Sequence, residues 1–169
     1  MTPARTPAGF TLLEVMVTLF VISILMALVM PRLAIDQLEP ARAAAMRMRN
    51  VLIWLRDQAA SGNDEYRLRL IPGQGFYASE VLRGDTFVPV DDPLLQPTVI
   101  DPDQASLSWQ PPPGETGGAD ETAIRFTPFG PERAILIRFA TRAKGEGYTV
   151  SYRPEWGKPR LEAGLGAWE

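Results

Sequence analysis

Hydrophobic and polar positions change period twice along this chain. Phe10 through Met30 is an apolar run whose only charge is Glu14. At about 1.5 Å per residue such a helix reaches about 30 Å, the thickness of a bilayer core. Beyond it, Leu33, Leu38, Ala41, Ala45, Met48, Leu52, Leu55 and Ala59 recur at three- and four-residue steps, and Arg42, Arg49, Arg56 and Asp57 fall off that stripe. This is an amphipathic helix. Pro31 is expected to kink it, and Pro40 to add a second bend or restart it. Ser61-Gly62-Asn63 is a stop signal.

After Gly62 the period becomes two. Arg67 to Leu70 and Phe76 to Leu82 read as a hairpin around Pro72-Gly73-Gln74-Gly75. Thr86–Val90 and Thr98–Ile100 read as short strands with proline nearby, hence at sheet edges. Leu107–Trp109, Ala123–Phe126, Ala134–Phe139, Tyr148–Tyr152 and Arg160–Glu162 complete the set. Gly130-Pro131, Gly145-Glu146-Gly147 and Trp156-Gly157-Lys158-Pro159 supply turns, and Pro111 through Asp120 is an exposed loop. The fold class is α+β: one long helix, Phe10 to about Ser61, then an antiparallel β domain of two packed sheets over 63–169.

Composition mainly excludes. There is no cysteine and no histidine. Thiolate chemistry, the commonest general base, the usual nucleophilic triads and nearly all zinc sites are therefore absent from the sequence. The chain reads as no enzyme, with no cofactor and no metal. A net charge of −3 without a basic face gives no reason to expect nucleic acid. The chain's 46% hydrophobic residues include the apolar run, and the remaining domain still has enough apolar positions for a core.

Gly9-Phe10-Thr11-Leu12-Leu13-Glu14-Val15 resembles the processing site of type IV pilins and of the pseudopilins of type II secretion. The resemblance implies that residues 1–9 are a leader and that a prepilin peptidase cuts between Gly9 and Phe10. The same enzyme would then N-methylate Phe10. Residues 10–30 become a transmembrane and fibre-core helix, 31–62 its amphipathic continuation, and 63–169 a periplasmic domain. A lone carboxylate costs about 2.5–3.5 kcal/mol at a bilayer centre, so Glu14 needs a partner. The resemblance supplies one: the new α-amine of a neighbouring subunit. The flanking charges point the other way, with Arg5 before the run and Arg32, Arg42, Arg47 and Arg49 after it. The resemblance nonetheless puts the leader in the cytoplasm and the domain in the periplasm, anchored by a single pass in the bacterial inner membrane.

Phe126-Thr127-Pro128-Phe129-Gly130, followed by an alternating strand and a final hairpin, resembles the C-terminal part of H-type minor pseudopilins and related fimbrial minor pilins. The implied function is a minor subunit of the type II secretion pseudopilus. The implied partners are other major and minor pseudopilins, the prepilin peptidase and methyltransferase, and the inner-membrane assembly platform. A minor pilin of a type IV pilus or competence system, or a membrane-anchored periplasmic binding domain, is the alternative. Glu14 argues against a tip subunit, and no calcium loop of the major-pseudopilin kind follows Tyr148.

Other candidate chemistry is thin. Asp91-Asp92 and Asp101-Pro102-Asp103 carry calcium-type oxygens without EF-hand spacing, and read as solvated acidic loops. Ser79 with Glu80, or Lys144 with Glu146, makes no catalytic pair without histidine. Trp54 is expected to pack on the sheet, Trp156 to be buried, and Trp168 to lie in a loose tail. Met16, Met26, Met30, Met46 and Met48 read as adaptable apolar packing. Phe129 is expected to be exposed near a turn.

Overall fold

The computed structural model describes residues 12–62, 64–115, 121–141 and 146–168, with the backbone alone for 27–38. The chain divides into two compact units between Asp36 and Gln37. The helix α1, Leu12–Ser61, runs through both. Its backbone is helical on either side of Pro31 and Pro40. The stripe positions Leu33 and Leu38 lie among the residues whose side chains are outside those described.

In the first unit, the described side chains of α1 run from Leu12 to Met26 and are all exposed. Thr18 and Ser23 turn their hydroxyls back onto the carbonyls of Glu14 and Leu19, the latter at 2.8 Å. Such back-bonding satisfies a hydroxyl on an otherwise apolar helix.

In the second unit, α1 buries the predicted stripe. Ala41, Ala45, Met48, Leu52, Leu55 and Ala59 are at most 2% exposed, and Val51 joins them. The last turn closes where Gly62 N–H donates to the Gln58 carbonyl (2.9 Å). The strands follow as β1 (Tyr66–Ile71), β2 (Phe76–Arg83), β3 (Thr86–Pro89), β4 (Thr98–Val99), β5 (Ser106–Trp109), β6 (Thr122–Thr127), β7 (Gly130–Pro131), β8 (Ile135–Ala140), β9 (Gly147–Tyr152) and β10 (Arg160–Ala163). Among the described residues they form two antiparallel sheets. One has the order β3-β2-β1-β6-β7 with β4 also on β2; the other has the order β10-β9-β8-β5. The proline-bearing β3 is an edge strand, as a missing N–H donor requires.

Strand alternation decides what faces the core. Tyr66, Leu68 and Leu70 of β1, Ile124 and Phe126 of β6, Ile135, Ile137 and Phe139 of β8, and Val150 and Tyr152 of β9 join the helix stripe in one apolar cluster. The hairpin β1–β2 pairs Ile71 with Phe76 across a 3₁₀ turn, Pro72–Gln74. Gly75 closes that turn at φ +62°, and a Cβ there would sit 2.9 Å from the Ile100 carbonyl. Only glycine meets both demands.

Two expectations need correction, at Gly130-Pro131 and at Trp168. Gly130-Pro131 is not a turn but the short strand β7, registered on Phe126 and Thr127. The turn is one step earlier, at Pro128-Phe129. The segment between β3 and β5, whose strands lie at sheet edges as expected, also sends Val90, Leu95, Ile100 and Ala105 into the core. Trp168 is fastened rather than loose: its Nε1–H donates to the Pro111 carbonyl (2.6 Å).

Candidate functional site: the start of the long helix

Glu14 lies in the first described turn of α1. A carboxylate there is favoured by the positive end of the helix dipole. Leu13, Val17, Thr18 and Val21 border it on the helix surface. From Leu12 to Met26 the large apolar side chains are 47–79% exposed. This is far more contiguous apolar surface than a solvated monomer normally carries. Among the described residues no helix is long and apolar enough to cross a membrane. The apolar run of the sequence begins before them, at Phe10, and the side chains of its last residues, 27–30, are outside those described. Gly9 and Phe10 lie outside the described residues, and so does the Pro31 side chain.

The other candidate groups lie in strands and turns. Ser79 and Glu80 are adjacent on β2 and so point to opposite faces of their sheet. Glu80 is fully committed: Arg67 Nε lies 2.5 Å from Oε2 and Arg69 Nη1 3.7 Å from Oε1. Asp92 Oδ1 accepts the Leu94 N–H (2.8 Å) and Asp101 Oδ1 the Asp103 N–H (2.9 Å). Both aspartates therefore shape turns. Lys144 lies outside the described residues.

Besides Trp168, one aromatic residue departs from expectation. Trp54 meets Tyr66 edge to face, with centroids 5.6 Å apart. Phe129 is 88% exposed at the β6–β7 turn. Trp156 is only half-buried, because it sits in a 3₁₀ turn after β9 with two guanidinium groups against it rather than core side chains. Arg153 and Arg160 were invisible as a pair in the sequence. They come together only because β9 and β10 are registered side by side.

Burial pushes the Tyr77 and Tyr152 hydroxyls above their ordinary pKa. Glu121 is held below the usual carboxylate range by its hydrogen bond from Arg69 Nε (2.6 Å). These shifts belong to the packed domain and its sheet surface, not to the helix start.

Comparison with known proteins bears on both units. Residues 5–30 match the prokaryotic N-terminal methylation motif. Two structures of the minor pseudopilin EpsH from the type II secretion system of Vibrio cholerae share the fold. The first superposes with a TM-score of 0.59 at 16% identity, over 73% of this chain and 96% of the other. The second gives 0.57 at 18% identity, over 78% and 98%. No curated protein matches the sequence. The chain therefore carries a prepilin-type methylation motif at the head of a long helix and has the fold of a minor pseudopilin.

Proposed function

We propose that this protein is a minor pseudopilin: a structural, non-catalytic subunit of the type II secretion pseudopilus, the periplasmic fibre that drives export of folded proteins. One conjunction carries the reading. A methylation motif at residues 5–30 leads into a helix whose far half is built into an EpsH-like domain. Neither half alone distinguishes a fibre subunit from an ordinary anchored domain.

In this reading the peptidase cuts after Gly9 and methylates Phe10. The anchor holds the subunit in the inner membrane, with the β domain in the periplasm. Assembly slides α1 out of lipid and against the helices of neighbouring subunits, among them major and minor pseudopilins, at the assembly platform. The exposed apolar side chains from Leu12 to Met26 are covered in both settings, so the transfer costs little hydrophobic free energy. Glu14 then meets the α-amine of an adjacent subunit. Burying such a pair is near break-even, but removing one partner costs about 3–5 kcal/mol, because a bare charge remains. The pair therefore fixes register more than it adds stability. Pro31 in mid-helix is expected to soften the rod where the anchor meets the domain.

Mass spectrometry of the mature N-terminus tests the reading. It should show N-methylated phenylalanine from Phe10. A chain beginning at Met1 in a host with an active prepilin peptidase refutes it. Glu14→Ala should be cleaved and methylated normally yet fail to crosslink to co-expressed pseudopilins. Normal co-assembly would remove the role given to Glu14.

A further inference from the structure

The outward face of the β10-β9-β8-β5 sheet carries a groove of about 510 Å³. Thr149 and Ser151 of β9 form its floor, only 2% and 7% exposed. Trp156 and Trp168 form its walls. The tail that brings Trp168 there is held at several points. Thr149 Oγ1 donates to the Gly164 carbonyl (2.8 Å) and accepts the Gly166 N–H (2.9 Å). Arg138 Nε donates to the Gly166 carbonyl (2.6 Å), and Trp168 itself is tied to Pro111. The groove is thus formed before anything binds.

Its lining carries two guanidinium groups. The Arg160 guanidinium lies 4.2 Å from the Trp156 ring centroid. The Arg153 guanidinium lies 5.1 Å from Trp156 and 5.8 Å from Trp168. Arg160 is registered beside Ser151. A guanidinium held over an indole in this way, as Arg160 is, can still offer N–H donors to a planar acceptor. It also occupies the indole face that a sugar or other flat apolar ligand would need. Arg160 has no ion pair among the described residues. Glu162, two residues on along the same face of β10, adds a carboxylate to the lining. The groove therefore presents the Arg160 guanidinium over Trp156, with the Ser151 hydroxyl beside it and the Glu162 carboxylate further along the strand.

We propose that this groove binds an acidic segment of a partner protein, with one side-chain carboxylate taken by Arg160 beside Ser151. A planar two-oxygen group matches the fork, and Glu162 disfavours an unbroken run of acids. The inference rests on residues 136–168 and not on processing at Gly9, so it survives or fails separately from the fibre reading.

The test uses the full chain in a nonionic detergent at low salt. A blocked hexapeptide of alternating Ser and Glu is titrated while the four tryptophan indole N–H signals are followed by NMR. Signals of Trp156 and Trp168 should move, and those of Trp54 and Trp109 should stay. The Ser/Gln version should not bind. Arg160→Gln should weaken binding about tenfold, the loss of one charge-assisted hydrogen bond, with an unchanged thermal melt. Should that variant lose its fold, Arg160→Lys, which keeps the charge but not the fork, should still bind more weakly than the parent. Equal binding of the Glu and Gln peptides, equal binding of inorganic phosphate, or unchanged affinity in both Arg160 variants would overturn the assignment.

Discussion

Leu52→Ala probes whether the amphipathic half of α1 is part of the domain core. Leu52 is fully buried in the cluster that joins the helix to both sheets. The substitution removes three side-chain carbons, worth about 2.4 kcal/mol at about 0.8 kcal/mol each. The residual cavity adds to this, because strands on two sides are pinned by their ladders and cannot collapse inward. The total is about 3–4 kcal/mol, within the range of buried leucine truncations. For a domain of this size that corresponds to a fall in Tm of roughly 10–15 °C. Met46→Ala is the matched control. It lies on the same helix two turns away and is 41% exposed, so it should change stability by less than about 0.5 kcal/mol. Urea melts of the detergent-solubilised chain, followed by near-ultraviolet circular dichroism, report tertiary packing rather than helix content. A loss below about 1 kcal/mol, or one no greater than that of Met46→Ala, would mean that the helix lies on the domain without completing it.

Gly147→Ala should be severe, because a Cβ there would fall 2.3 Å from the Phe139 carbonyl and 3.0 Å from the Ala140 Cα, both backbone atoms of the paired strand. A drop of under about 1 kcal/mol by the same melt would show that the end of the β8–β9 ladder yields easily. Glu80→Ala frees two arginines, but these are 27% and 33% exposed and Arg69 keeps Glu121. The expected cost is about 1–2 kcal/mol rather than the 3–5 of a fully buried pair, and a larger measured loss would mean that the arginines cannot reach water. The Glu121 carboxylate has a lowered folded-state pKa, so its contribution is present above the ordinary glutamate pKa and disappears as pH falls through the folded value. Carboxyl-carbon NMR should show its midpoint rise towards the ordinary value in Arg69→Gln, and an unmoved midpoint would sink the attribution to Arg69.

Period alone made much of this protein legible. The switch from a helical stripe to strict alternation located α1 and the β1–β2 hairpin, and the buried set from Ala41 to Ala59 is the set that spacing picked out with Val51 added. This works because a helix face and a strand face each repeat at a fixed interval, and burial selects one face. The methylation motif matched over residues 5–30 was likewise local, since it lies in contiguous residues. What failed was non-local. Gly130-Pro131 carries turn residues, yet pairing with β6 makes it a strand. Trp156 looked like core by size, yet two arginines from neighbouring strand ends occupy the space around it. The sequence by itself determined the helix, its carboxylate and the face each element buries. Only the tertiary structure decided which strands lie side by side, and so which of the scattered arginines and tryptophans share one groove, because that depends on registers set by hydrogen bonds between residues far apart in the chain.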